Sequence, residues 1–304
     1  MSDIPLSATR EHSQPRLLSL LWQDKFAFVA ALFLLLLTCC ALFGPWLLGD
    51  AAVAMNLRLR NSPPLVLPPV EQGWLYVLGG DALGRPILAR IVVASQNTLA
   101  IAAAVVPLAL LLGGALGLLA GYAGGWISVL ILRLADILMS FPSLLLAVVV
   151  LYVFEPRVAN LILVLALTRM PVYIRTTRSE VLEIRERIFV DAARALGAGG
   201  LRIVHKHIAP LVFSTLITIA TLDFAFVMLA ESALSFLGIG IQPPEITWGL
   251  MVAQGRNYLN TAWWLAFFPG LMIMLTTLSL NLLSSWLRIV TDPAQRWRLE
   301  SDHD

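Results

Sequence analysis

Three carboxylates stand in stretches apolar enough to cross a bilayer: Asp136 in RLADILMSF, Asp223 in TLDFAF and Glu231 in LAESAL. An unpaired charge at the centre of a span costs at least ~2.5 kcal/mol even on a lenient insertion scale, so each needs a partner or a task. Asp136 has Arg133 three residues before it on the same helix face, which partly neutralises it. Asp223 and Glu231 lie deep in one stretch and must face the bundle interior, a partner subunit or a wet cavity. Positioning by internal hydrogen bonds, contact with a polar or cationic substrate group, and service as a proton or sodium site are all open to them. Together the three mark a candidate translocation pathway.

Bond-making chemistry finds no such foothold. No HExxH, no paired aspartates and no Ser and His pair is placed within a span, which argues against an intramembrane enzyme. A phosphate cradle needs GxxxxGK followed by Ser or Thr, and the only lysines, Lys25 and Lys206, follow Asp24 and His205. The chain therefore carries no nucleotide-binding motif. His205 and His207, at i and i+2, point to different sides of a helix and make a poor metal pair. Cys39 and Cys40 are adjacent in the middle of an apolar run and read as small apolar residues, with no disulfide framework or metal motif.

The elements that position these residues follow from composition. With 59% hydrophobic and 13% charged residues and a mean hydropathy of +0.82, the chain is an integral membrane protein. Six stretches approach the ~20 apolar residues a crossing helix needs: about 26–48, 91–119, 126–153, 158–175, 209–238 and 262–287. Runs such as AALFLLLLTCCALF do not alternate, so the fold class is an all-α bundle and not a β-barrel. Residues 1–25 and 289–304 form polar tails, and 49–90 forms an outside segment in which Pro63, Pro64, Pro68 and Pro69 set extended or turn backbone. The first span, ending around Phe43–Trp46, is longer than a signal-peptide core and is expected to stay as an anchor. With the N-terminus inside, the inner side collects most of the basic residues, including Arg175, Arg178, Arg185, Arg187, Arg194, Arg202 and Lys206; the outer side keeps Arg58, Arg60, Arg85, Arg90, Arg157 and Arg256. Both termini are therefore expected in the cytoplasm.

Packing and capping cues complete the outline. Gly113, Gly117, Gly121 and Gly125 recur every four residues, a ridge that admits close approach of another helix. Asp81 in LGGDALGR is expected as the N-cap of a turn leading into the second span, with docking of an outside partner as the alternative. Pro243 and Pro244 break the chain after the fifth span, a short interfacial helix follows, and Trp248 suits a membrane interface.

One polar island interrupts the apolar chain, residues 183–210, EIRERIFVDAARALGAGGLRIVHKHIAP. Ile184, Ile188, Ala192 and Leu196 fall at four-residue intervals, Glu183–Arg187 and Arg187–Asp191 are i,i+4 pairs, and Gly197, Gly199 and Gly200 end the pattern. The segment reads as a helix from about Arg185 to Ala198, a glycine turn and a re-entry at Pro210. Pattern alone leaves it balanced between a helix resting on lipid and a docking element.

DAARALG, ten residues, then IAP resembles the EAA loop of ABC importer permeases. LGGDALGR, GLLAGYAGGW, RLADILMSFPSLLLA, ESALSFLGIGIQPPEITWG and FFPGLMIMLTTLSLNLLSSWLR resemble, in order, segments of the dipeptide and oligopeptide permeases of the DppC/OppC type. The resemblance covers about 25–298. Asp191 stands where that family's glutamate is usual, Ala209 where leucine is usual, and Gly80 and Pro86 where a threonine and an aspartate are usual.

The resemblance implies a type I ABC importer transmembrane bundle, MetI-like, over 91–288, with six spans in all and a cytoplasmic coupling helix in the loop 183–210. Asp191, Ala192, Ala193, Arg194 and Gly197 would seat on an ATPase subunit. It further implies a homologous second permease of the DppB/OppB type, two ATPases that bind ATP and magnesium, a periplasmic substrate-binding protein that would dock on the outside elements at 49–90 and 240–260, and a place in the bacterial inner membrane. The implied cargo is a di- or oligopeptide, with nickel, glutathione, antimicrobial peptides or microcins as alternatives. An ion-coupled secondary transporter is the rival class. It lacks support from any inverted hydropathy repeat, and six spans are few for it.

Overall fold

The computed structural model describes residues 21–66, 68, 69, 72–154 and 157–291. The two tails therefore lie almost wholly outside the described residues. Among the described residues the regular elements are helices, and the one β-type contact is an isolated bridge between Gly80 and Pro86.

Five helices are long and apolar enough to cross a membrane: α1 (Lys25–Val53), α2 (Ile87–Ala123), α5 (Val158–Ile184), the segment Gly200–Phe236 and α10 (Trp264–Thr291, apolar through Val290). The remaining expected span, 126–153, is not a straight helix. It is divided into α3 (Gly125–Met139) and α4 (Ser143–Phe154), which meet at 85°. The break falls at Ser140–Phe141–Pro142. Pro142 disfavours helical backbone at Phe141 and lacks the N–H that would continue the ladder; its carbonyl then accepts from Leu146 N at 2.9 Å to start α4. At ~1.5 Å per residue neither half alone crosses a ~30 Å core. The bundle has six spans only if the bent pair counts as one.

Other boundaries differ from those read in the sequence. α1 does not stop near Trp46 but continues through Pro45 to Val53, with Asp24 as N-cap accepting from Ala27 N at 3.0 Å. α5 runs nine residues past the expected end at 175, carrying Arg175, Arg178 and Glu180 out of the apolar zone on the same rod. The segment Gly200–Phe236 comprises a short α7 (Gly200–Ile203), a π-helical turn at Val204–Ile208 and α8 (Ala209–Phe236).

The tightest helix pair is α2 with α5, and the glycine ridge explains it. A Cβ built at Gly113 would lie 2.7 Å from Met170 O, one at Gly117 2.5 Å from Thr177 Cβ, and one at Gly121 2.6 Å from Val181 Cβ, so the backbones touch where glycine allows it. Gly125 is no member of the ridge: it lies past the end of α2 with φ +52° and open space around it. Outward faces are apolar, as lipid contact requires: Phe26, Leu32, Leu36, Phe43 and Trp46 of α1 are all exposed.

A polar loop, three separated carboxylates and the family

α5 ends at Ile184, and Arg185–Arg187 make a turn that restarts the helix as α6 (Ile188–Ala195) with Arg187 as N-cap in extended backbone. The interruption resets the helical register. Ile184 is buried as part of α5, whereas Ile188 and Leu196 are 87% and 88% exposed, and the residue that turns inward is Val190, with no exposed surface. The four-residue stripe read from sequence is therefore not a continuous buried face. Its last three members, with Phe189 and Leu201, form an uncovered apolar rim.

α6 closes with a Schellman motif. Ala198 N donates to Ala193 O at 3.0 Å and Gly197 N to Arg194 O at 2.9 Å, and the motif places Gly197 at φ +81°, where a side chain is strained. Asp191 pairs with Arg194 at 3.0 Å; the expected Arg187–Asp191 pair is absent because Arg187 precedes the helix, and Arg187 instead holds Glu183 at 2.7 Å. Asp191, Ala192, Arg194 and Gly197 are exposed and Ala193 is half-buried.

The loop is fastened to the bundle at several points. Arg185 Nη1 donates to Gly121 O at 3.2 Å, at the end of α2, while just before the loop Arg178 Nε of α5 donates to Ser128 Oγ of α3 at 2.8 Å. Gly200 packs so close to Tyr122 that a Cβ there would lie 2.9 Å from the phenol oxygen. Ile203 and Ile208 are buried, and the ring of His207 lies 6.4 Å from that of Phe189. Among the described residues no group of three metal-ligating side chains occurs.

The three carboxylates do not share a partner. Asp136 is bound to Arg175 at 2.6 Å and more loosely to Arg133 at 4.0 Å, with nearly half of its side chain exposed. Asp223 on α8 is paired with Arg169 on α5, and both side chains are largely buried. The Arg169 guanidinium also lies 4.2 Å from the centre of the Phe226 ring. Tyr173 is within electrostatic reach of Asp223 but makes no well-formed hydrogen bond to it. Glu231 is buried and accepts from Ser235 Oγ at 2.8 Å.

Arg169 is the residue that sequence reading passed over. Its signal was present: an arginine inside the apolar run 158–175 needs a counter-charge, and Asp223 was in need of one.

At the opposite end of α2, Asp81 is not the N-cap of the helix. Pro86 holds that place, and Asp81 instead closes the turn before it, accepting from the backbone N–H of Leu83 and Arg85, each at 2.8 Å. Trp248 faces the protein interior. It is fully buried at the start of α9 (Trp248–Gly255), its indole N–H donating to Ile91 O at 2.9 Å.

A protein-family model described as "binding-protein-dependent transport system inner membrane component" matches residues 113–297. The chain is 39% identical over 282 residues to a di/tripeptide transport system permease DppC of Pseudomonas aeruginosa, covering 90% of each chain. It is 34% identical to a probable D,D-dipeptide transport system permease DdpC of Escherichia coli, covering 94% of this chain and 95% of that one. A glutathione transport system permease GsiD of Escherichia coli is 37% identical over 273 residues, covering 89% of this chain and 87% of the relative. The bent apolar bundle, the exposed loop and these matches together mean that the chain belongs to the binding-protein-dependent inner-membrane component family, the multi-pass permease part of transport systems that work with a substrate-binding protein and an ATPase.

Proposed function

We propose that this chain is one transmembrane subunit of an ATP-driven ABC importer for di- or oligopeptides. In this reading it pairs with a homologous second permease and two ATPase subunits, receives cargo from a periplasmic binding protein, and keeps both termini in the cytoplasm. ATP and magnesium belong to the ATPases, since the chain has no lysine in a phosphate-cradling context. Peptide cargo is favoured by the names of the relatives, two of which are dipeptide permeases and one a permease for glutathione, itself a small peptide.

The observation that carries the coupling role is the uncovered rim on α6. A helix of eight residues is too short to be stable in water by itself, yet this one is fixed by Val190 beneath and by the glycine motif at its end while Ile188, Ala192 and Leu196 face outward. Apolar residues held rigidly outward next to the exposed Asp191 and Arg194 suit a protein groove: the carboxylate and guanidinium find partners there and the apolar rim is covered. Closure of the two ATPases on ATP then moves α6. The turn Arg185–Arg187 and the segment 197–208 deliver that displacement to α5 and α8. ATP does this work only through unequal stabilisation of the outward- and inward-open states.

Leu196→Asp tests the role. Leu196 supports nothing beneath it, so the change should leave the stability of the bundle within about 0.5 kcal/mol, while transport and cargo-stimulated ATP hydrolysis by the assembled complex should fall together. Unchanged stimulation and uptake would reject the coupling role. Uptake that persists without ATP but collapses with the proton gradient would instead establish the ion-coupled rival.

A further inference from the structure

The end of α2 opposite the loop carries more positive than negative charge. Asp81 lies in the turn closed by the Gly80–Pro86 bridge, and all of its acceptor capacity is used. Oδ1 takes the N–H of Leu83 and Arg85, and Oδ2 takes Arg85 Nε at 2.7 Å and Arg90 Nη1 at 2.6 Å. One carboxylate thus faces two guanidinium groups. Arg90 is only 2% exposed, yet among the described residues its Nη2 reaches no second acid, donating at 3.2 Å to the neutral Oε1 of Gln254, and its Nε has no partner.

These groups border a cavity of about 270 Å³ between the turn and α9, whose wall includes Arg85, Arg90, Met251, Gln254, Asn257 and Leu265. Asp81 is the only carboxylate among the described residues that line it. A surplus cation with a dry, partly unpaired head group is costly, and a second carboxylate removes the cost. About 270 Å³ is room enough for an inserted carboxylate side chain, and the permease reading supplies a protein partner that could bring one.

We propose that this cavity is a carboxylate-binding site that receives a single aspartate or glutamate side chain of the docked substrate-binding protein. The inference rests on the permease reading, because the partner is the one that reading supplies. The cavity joins the two outside elements, the segment ending at Arg90 and the stretch around residues 251–265, so an acid inserted there fixes the partner on both at once. Charge-assisted bonds to Arg90 and Arg85 set register as well as affinity.

The test uses the full importer complex in nanodiscs and measures docking of its binding protein across a salt series. Gln254→Glu places a tethered carboxylate beside Arg90 Nη2, and Asn257→Asp places one on the cavity wall; each supplies the missing counter-charge from within. Both variants should fold at least as well as the parent, lose about ten-fold or more in docking affinity, and show a flatter salt dependence. A purely structural role for Arg90 predicts no loss. Docking unchanged in both variants overturns the proposal. It is equally overturned if free tri-alanine, but not its C-terminal amide, raises the melting temperature of the parent without binding protein and fails to do so for Gln254→Glu, for the site then belongs to cargo. A parent complex that docks no binding protein at all refutes the permease reading instead.

Discussion

Asp223→Asn should unfold this bundle far more readily than its size suggests, and the reason is Arg169. The two side chains retain only 5% and 18% of their exposure, and the pair ties α5 to α8 across 54 residues of sequence. Removing the carboxylate's charge leaves a guanidinium buried over the Phe226 ring with its Nε already unpartnered. Breaking a buried pair from one side costs about 3–5 kcal/mol, roughly two to three and a half orders of magnitude in the folded population. Arg169→Met should cost a similar amount by stranding Asp223, whose Oδ2 is unpartnered as it stands. The double variant Arg169→Met with Asp223→Leu removes both charges and should return most of the loss, because apolar replacement of a whole buried pair is often neutral. Steric trapping of the purified chain in detergent or lipid measures all three. A cycle in which each single change costs under ~1 kcal/mol, or in which the double change costs the sum of the two, would refute the account of Arg169–Asp223 as an interhelical clamp. Transport by the double variant answers a separate question: restored stability without restored uptake would give Asp223 a second role on the cargo path.

Two further outcomes follow from close contacts and from one phenol. Gly117→Val should destabilise by about 1–3 kcal/mol, since its Cβ meets Thr177 Cβ at 2.5 Å and Ile174 O at 2.8 Å, while Gly49→Ala in α1, where nothing lies within 4 Å, should stabilise by about 0.5–1 kcal/mol; thermal melts that rank them the other way would reject the ridge. Tyr76 donates to Gly84 O at 2.7 Å, and burial, then the charge of Asp81, raises its pKa. Its contribution is therefore fully present below the unfolded value of about 10 and is lost as pH rises through the higher folded value. The stability advantage of the parent over Tyr76→Phe, about 1 kcal/mol near neutrality, should shrink above pH ~10; chemical denaturation showing a constant gap at high pH would contradict this.

What the sequence made legible, and what it hid, divides along physical lines. Span positions are set by runs of apolar residues, so all six regions were readable. Their ends were not, because proline inside a membrane helix is tolerated where neighbouring helices re-satisfy the backbone, and so α1 passes through Pro45. Pro142 breaks its helix, and a reading that weighed Phe141–Pro142 above the hydropathy of its flanks would have found the 85° bend. The loop 183–210 was legible as a helix ended by glycine, but its register was not, since one turn at Arg185–Arg187 turns Ile188 outward and Val190 inward. The Arg169–Asp223 pair was signalled by opposite charges inside two apolar runs, whereas the Trp248 indole on Ile91 is a product of tertiary contact that no local pattern encodes.

The placement of rigid and yielding parts bears on how such a chain transmits work. α2, 37 residues and about 55 Å long, has the Asp81–Arg90 cluster at one end and, at the other, Gly121 and Tyr122 in contact with the loop through Arg185 and Gly200. Between those ends Gly113, Gly117 and Gly121 let it pack closely against Met170, Tyr173, Thr177 and Val181 of α5. The joints lie elsewhere: the three-residue turn before α6, the left-handed Gly197 after it, and the π-helical turn leading into α8. In the proposed importer a displacement of α6 would be taken up at these joints and passed to α5 and α8, the two helices that the Arg169–Asp223 pair holds together. Partner occupancy at the outer cluster and ATPase seating at α6 would then bias the same two-state element from opposite ends. By linkage, whatever free energy the one site contributes to the other must be returned in equal measure.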